Sequence, residues 1–424
     1  MTMLLLALAI AALLMLRVPV AFAFLGPCLG YLAIEGQSLG LPMRTIVNGI
    51  ASFPLLAVPL FVLVGTTATR AGIADRIFDF ALAILGRVRG SLGYVNVGFS
   101  LGFSWISGTA VADAAAMAKV QLPVMEAKGY SRRFSLGVTG ASSLISPVMP
   151  PSIPAVVYAG IATVSTGALF AASVVPALLM AFGLCIVVYV LCRSKPELEG
   201  EPFNWSRLGR AARRAIGALF APVIILGGIL GGFFTPTEAA AVGAAYMFIL
   251  GFSYRSLKLK DLPVIFRETA VTTAAILIII ASASLLGWIL AMERVPQQIA
   301  STMLSLTDSP MVFLALSALL MLVLGTVIDA VAALVITVPI MLPIAMQVGV
   351  DPIVLGVVMI ISLMIGLLTP PVGTVLYVLS SATGAKIGEV FRGTRPFFIP
   401  LVTVVVVVIV VPGAVMWLPN LLGL

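Results

Sequence analysis

Apolar residues run along this chain in long continuous stretches, separated by short polar or basic interruptions. Met3–Leu16, Val18–Ile34, Pro54–Thr69, Leu169–Leu191, Ile216–Gly231, Glu238–Phe252, Thr269–Ala291 and Pro396–Leu418 read as helices that cross, or nearly cross, a bilayer core. Such a crossing takes roughly 20 apolar residues. The stretches do not alternate apolar with polar, which argues against a membrane barrel. Segments 41–53 and 260–268 are more polar and predict arms along the membrane surface. Gly72–Gly86 and Arg294–Leu306 predict short surface helices. Met3–Leu16 lacks a basic leader and a cleavage site, so it is expected to remain as a span.

Two kinds of element break the pattern. Ser91–Ile106 and Ala110–Met125 are short for spans, and basic residues flank both ends: Arg87 and Arg89 before, Lys128, Arg132 and Arg133 after. Both ends therefore belong on one side, and 91–126 is predicted to be a re-entrant hairpin with Ser107-Gly108-Thr109 at its tip. Such a tip must be buried in protein or line a watery cavity, because bare backbone cannot face lipid. Next, 131–162 reads as a helix broken by the run from Ser146 and Pro147 to Pro150, Pro151 and Ser152. Both elements recur in the second half. Hairpin 311–344 turns at Gly325-Thr326, and helix 352–381 breaks at Thr369-Pro370-Pro371-Val372-Gly373-Thr374.

The predicted fold is therefore an all-α polytopic membrane protein built from two repeats, 1–192 and 215–424, joined by a charged cytoplasmic linker, 193–214. Each repeat holds five spans and one re-entrant hairpin, and an odd number of spans inverts the second copy. Inverted repeats with broken helices mark secondary transporters, and the breaks point to the binding site. With both termini outside, all 24 Lys and Arg residues except Arg44, Lys119 and Arg294 fall on inner segments. That bias sets the orientation, with the first hairpin opening inward and the second outward.

Composition narrows the function. The chain is 61% hydrophobic and 9% charged, with a mean hydropathy of +1.20. The net charge of +8 follows from the basic loops and is no sign of nucleic acid as a partner; membrane lipid is. There is no His, which excludes imidazole proton relays and His-based catalytic pairs. Cys28, Cys185 and Cys192 sit in apolar segments without metal-ligand spacing. No phosphate-binding GxxxxGK[ST] loop is present, which argues against ATP hydrolysis in this chain. Nothing points to an enzyme.

Hairpin tips and helix breaks leave carbonyls and amides without intrahelical partners. Unwound carbonyls and hydroxyls suit Na⁺, and helix N-termini suit an anion. One Na⁺ site is expected at Ser107, Gly108, Thr109, Ser146 and Pro147, and a second at Gly325, Thr326, Thr369, Pro370 and Gly373. Pro150, Pro151, Ser152 and Thr374 are candidates for substrate contact or coupling. The plainer alternative is packing glycines and proline kinks, which are common in membrane helices. Asp113 and Asp329 follow the tips and read either as coupling carboxylates or as helix caps, with Thr326 and Asp329 at capping-box spacing. Thr235-Pro236-Thr237-Glu238 reads as a capped scaffold helix.

The opening LRVPVAFAFLGPCLGYLAI, the FTPTEAAAVGAAY run at Phe234–Tyr246, the SGTAVAD hairpin and the MPPS and TPPVG breaks resemble the large membrane subunit of tripartite ATP-independent periplasmic (TRAP) transporters, over the whole chain. The resemblance implies a Na⁺-driven importer of an organic acid in a bacterial inner membrane. It implies an elevator-type fold similar to the ion-transporter superfamily. It also implies two partners, a small four-helix membrane subunit and a periplasmic substrate-binding protein. The chain is expected to be too short to carry the small subunit as a fusion. The alternative within transport is a stand-alone Na⁺/dicarboxylate or citrate symporter. A channel or membrane-embedded enzyme is the competing class.

Overall fold

The computed structural model describes residues 2–16, 18–38, 40–51, 53–195, 198–200, 202–295, 297–298 and 309–424. Most of the expected surface helix Arg294–Leu306 lies outside these residues, as does the side chain of Ser107. Among the described residues every regular element is helical. The first half contains α1 (Thr2–Met15), α2 (Val20–Ile34), α3 (Gly40–Ile50), α4 (Ala57–Arg70), α5 (Ile73–Leu85), α6 (Ser91–Ser107) and α7 (Ala110–Val120). It continues with α8 (Leu122–Ala127), α9 (Arg132–Ser143), α10 (Ile153–Ala162) and α11 (Thr166–Cys192). The second half contains α12 (Trp205–Leu230), α13 (Pro236–Ser253), α14 (Leu262–Met292), α15 (Pro310–Gly325) and α16 (Ala330–Gln347). It ends with α17 (Pro352–Leu367), α18 (Thr374–Thr383), α19 (Ile387–Val410) and α20 (Pro412–Leu422).

Local chemistry explains the helix starts. Ser131, Ser152, Ser165, Asn204, Thr235 and Asp351 stand at N-cap positions, each accepting a bond from an amide in the first turn. Thr235 and Glu238 form the reciprocal capping box that their spacing predicts, with the Thr235 amide donating to Glu238 Oε2 at 2.8 Å. Residues 260–268, expected as a separate arm, run on without a break into α14. Pro263 stands in the first turn of that helix, and nothing after it interrupts the backbone pattern. At 31 residues α14 is about 46 Å long, more than a bilayer core of about 30 Å. Its first turns can therefore project beyond the core while remaining helical.

Thr166–Cys192, Trp205–Leu230, Leu259–Met292, Ala330–Gln347 and Ile387–Val410 are long and apolar enough to cross a membrane by themselves. Ala330–Gln347 contains the second arm of the hairpin that the sequence predicts over 311–344. It is also the most enclosed of the five, so protein rather than lipid covers most of it.

The core lies at the two broken helices. Every residue of α9 from Phe134 and every residue of α17 from Val354 is buried. α17 is almost wholly apolar, whereas α9 carries hydroxyls and glycines. Close approach explains the glycines: a Cβ on Gly137 would strike the Gly393 carbonyl of α19, and one on Gly393 would strike the Arg133 carbonyl. A hydrogen-bond network accounts for the hydroxyls. Asn96 of α6 donates to Thr139 Oγ1 at 2.8 Å and accepts from Ser142 Oγ at 2.7 Å, with all three residues fully buried.

Packing around this core is reciprocal. The first arm of each hairpin lies on the first half of the broken helix that follows it, α6 on α9 and α15 on α17. The second arm crosses to the other half of the chain, where α7 packs on α18 and α16 on α10. On the outside, α4 packs on α13 and α14, and α12 on α5.

Candidate functional site

At the first tip, Gly108 ends α6 in the left-handed region (φ 56°), and its amide returns to the Ser104 carbonyl at 3.0 Å. A side chain there would be strained. Thr109 is extended and caps α7, accepting from the Ala112 amide at 3.3 Å. A Cβ on Gly108 would lie 3.4 Å from Ile153 and 3.6 Å from the Pro151 carbonyl, so the tip rests on the break between α9 and α10. Within that break Ser146, Pro147, Pro150, Pro151 and Ser152 are all buried. The Ser152 hydroxyl donates to the Pro147 carbonyl and accepts from the Ala155 amide at 3.2 Å. The Pro150–Pro151 bond is cis, as is Pro370–Pro371 in the other half.

The second tip is joined to its break by backbone. The Thr326 carbonyl accepts from the Val372 amide at 3.1 Å and the Gly373 amide at 2.9 Å, which fills both of its lone pairs. The Thr326 hydroxyl donates to the Val323 carbonyl at 2.7 Å, and the Thr369 hydroxyl to the Ile365 carbonyl at 2.8 Å. Gly325 and Gly366 face each other: a Cβ on Gly325 would sit 2.6 Å from the Leu363 carbonyl and 3.1 Å from the Gly366 Cα. Gly373 is left-handed (φ 58°), and a Cβ there would lie 2.8 Å from the Thr369 carbonyl and 3.1 Å from the Leu367 carbonyl. The next residue, Thr374, holds a buried hydroxyl with no hydrogen-bond partner. Two carbonyl oxygens thus lie close to Gly373, beside a residue with an unpartnered hydroxyl, and oxygen donors of this kind suit a hard monovalent cation.

The two acidic candidates are not counterparts. Asp329 is the N-cap of α16, its Oδ1 accepting from the Val331 amide at 2.9 Å, so its place in the second tip corresponds to that of Thr109 in the first. Thr326 takes no part in that cap. The residues Thr326–Ile328 lengthen the second tip before its helix begins. Asp113 instead lies in the first turn of α7 with its side chain fully buried. It sits beside Ser100, and neither its carboxylate oxygens nor the Ser100 hydroxyl has a well-formed hydrogen bond.

A cavity of about 590 Å³ adjoins the first tip. One wall is the face of α7 that carries Thr109, Ala112, Ala116 and Lys119, with Ile153 at the start of α10. The opposite wall is α4 and α14, contributing Gly65, Thr66, Thr69 and Arg70, then Glu268, Thr272 and Ile276. Gly65 marks the closed end, since a Cβ there would lie 2.5 Å from the Ile106 carbonyl at the hairpin tip. Arg70 and Glu268 form an ion pair at the other, with side chains 36% and 49% exposed. The structure thus brings Thr109 into a cavity with three charged residues, Arg70, Lys119 and Glu268, to which the sequence reading gives no role. Asp113 is buried and is not among the residues that line it.

The sequence is similar to known proteins over nearly its whole length. Residues 7–414 match the family model described as "Tripartite ATP-independent periplasmic transporter, DctM component". The chain is 39% identical to the sialic acid TRAP transporter large permease protein SiaM of Vibrio cholerae, over 95% of each chain. It is 38% identical to the C4-dicarboxylate TRAP transporter large permease protein DctM of Pseudomonas aeruginosa, over 88% of this chain and 87% of that one. It is 36% identical to the isethionate TRAP transporter permease protein DctMQ of Oleidesulfovibrio alaskensis, over 96% of this chain and 65% of that longer protein. In fold it is similar to the Alcanivorax borkumensis YdaH transporter, with a TM-score of 0.58 over 87% of each chain at 18% identity.

Proposed function

Since the chain belongs to the DctM-component family of tripartite ATP-independent periplasmic transporters, we propose that it imports an organic acid on a Na⁺ gradient. It is an integral membrane transporter subunit rather than an enzyme. Relatives named for sialic acid, C4-dicarboxylate and isethionate support an organic anion as its cargo. The observation that carries the reading is the meeting of each hairpin tip with a helix break, with a cavity large enough for a small organic acid beside the first.

Na⁺ binds where the unwound oxygens gather. The second site takes the Leu367 and Thr369 carbonyls and the Thr374 hydroxyl around Gly373. The first uses Gly108, Thr109 and the Ser146–Pro147 turn. Because the Thr326 carbonyl already holds two amides, Thr326 shapes the second site rather than binding the ion through that atom. The substrate occupies the cavity between α7 and the α4–α14 wall, with its carboxylate toward the N-termini of α7 and α10.

The halves 1–192 and 215–424 are inverted copies, a reading that the reciprocal packing of α7 on α18 and α16 on α10 supports. The hairpins and broken helices move together as an elevator against a scaffold of α4, α13 and α14. The basic residues set both termini in the periplasm of a bacterial inner membrane, and the charged end of the cavity then faces the cytoplasm. A small four-helix membrane subunit and a periplasmic binding protein complete the system.

Uptake into K⁺-loaded proteoliposomes holding this chain and the small subunit tests the proposal. A labelled organic acid is offered with and without external Na⁺, and with and without the binding protein. Uptake that needs both is the expected result. Uptake that needs Na⁺ alone would favour a stand-alone symporter, and uptake indifferent to Na⁺ would remove the ion sites.

A further inference from the structure

The charged end of the cavity carries three groups in two different situations. Arg70 of α4 is committed to Glu268 of α14 in an ion pair within one wall. Lys119 stands on the facing wall, exposed, and no carboxylate among the described residues pairs with it. The face of α7 that lines the cavity runs Thr109, Ala112, Ala115, Ala116, Lys119. At 1.5 Å per residue Lys119 lies about 15 Å from the tip. Everything between them on that face is alanine, so Lys119 is the one charge that α7 presents to the space. Summed over the cavity, two cations and one carboxylate leave a net charge of +1.

We propose that Lys119 is a specificity-determining residue, the free cation that matches a single carboxylate, while Glu268 keeps Arg70 from acting as a second. This rests on the reading of the cavity as the substrate's path. A substrate with one carboxylate brings the cavity to neutrality. One with two leaves a negative charge that must be desolvated as the walls close. The arrangement selects monocarboxylates, and Glu268 does so indirectly, by occupying Arg70. Replacing Glu268 with a neutral amide frees Arg70 and creates a two-cation site suited to a dicarboxylate. Lys119 also sits on the element that the elevator reading makes mobile, whereas the Arg70–Glu268 pair sits on the scaffold. The single free cation therefore travels with the cargo.

The test reads the cavity directly and needs no transport. Ala112 faces the cavity about 10 Å along α7 from Lys119. Ala112→Cys is introduced into the full chain with its three native cysteines replaced by serine. It is then labelled with an anionic (sulfonatoethyl) or a cationic (trimethylammonioethyl) methanethiosulfonate. A unit charge at that distance through water changes each rate about two-fold in opposite directions, so the anion-to-cation rate ratio should fall about four-fold in Lys119→Gln. It should be restored in Lys119→Arg and should rise in Glu268→Gln. Gluconate or succinate is then added at equal ionic strength to protect the cysteine. Gluconate should protect at least as well as succinate in the parent, and succinate should gain several-fold over gluconate in Glu268→Gln. A rate ratio unmoved by Lys119→Gln would overturn the proposal. So would protection by neither acid, or an unchanged preference in Glu268→Gln. Failure of Na⁺-driven uptake with these labelling results intact would instead count against the transport reading.

Discussion

The buried network of Asn96, Thr139 and Ser142 fastens the first hairpin to the first broken helix, and it makes a quantitative prediction. Asn96 spends its amide nitrogen on Thr139 and its amide oxygen on Ser142, at 2.8 and 2.7 Å, with no water-facing surface. Each such bond is worth about 1 kcal/mol net, and a buried group left without its partner costs about 1–3 kcal/mol. Ser142→Ala strands the Asn96 oxygen, and Thr139→Val strands its nitrogen, so each should cost about 1–3 kcal/mol. Asn96→Leu removes both bonds and should cost about 2 kcal/mol. The Ser142 hydroxyl already lies 3.3 Å from the Thr139 carbonyl and can turn to it. The triple variant that combines Asn96→Leu, Thr139→Val and Ser142→Ala removes every polar group together and should return to within about 1 kcal/mol of the parent. Thermal unfolding in detergent, followed by tryptophan fluorescence, reads the series, and Trp105 lies on the same helix as Asn96. A triple variant whose loss equals the sum of the three single losses would refute the reasoning, because independent sites add and a shared network does not.

Three further outcomes follow from the geometry. Gly137→Ala would press a methyl into the Gly393 carbonyl; it should destabilise by about 1–3 kcal/mol, seen as a lower unfolding temperature than for Gly388→Ala, where a Cβ meets open space. Thr374→Val should raise the half-saturating Na⁺ concentration for uptake several-fold while Thr374→Ser leaves it near the parent value; equal behaviour of the two would remove that hydroxyl from the ion site. Ser152→Ala deletes the cap of α10 and its bond to the Pro147 carbonyl, and should lower stability by about 1 kcal/mol, measurable in the same unfolding assay.

The breaks themselves are legible in the sequence because proline and glycine impose their geometry locally. Gly108 and Gly373 both take the left-handed backbone that their positions in a tip and a break demand. The capping box at Thr235–Glu238 is equally local. Features that depend on two distant segments are not legible. Residues 134–143 carry too many hydroxyls and glycines to read as core, yet they are buried because Asn96 and Gly393 arrive from elsewhere to satisfy and fit them. Asp113 and Asp329 look like a symmetric pair along the chain, but the longer second tip puts Asp329 at the cap and leaves Asp113 inside. Lys119 stands out only as an exception to the charge pattern. Its significance requires knowing that Arg70 and Glu268 face it across a cavity and are already engaged with each other.

The exchange of hairpin arms between the halves of the chain has a consequence for biosynthesis. When α7 leaves the ribosome its packing partner α18 does not yet exist, and 264 residues separate Ala110 from Thr374. At roughly 5–20 residues per second that interval lasts about 13–53 s. α10 likewise waits for α16. Through that time the translocon, lipid or a chaperone must shield the face of α7 that α18 will later cover, together with the buried carboxyl of Asp113. Truncation after the first half should therefore leave a product that the cell's membrane quality control recognises and removes, even though every helix of that half has been made.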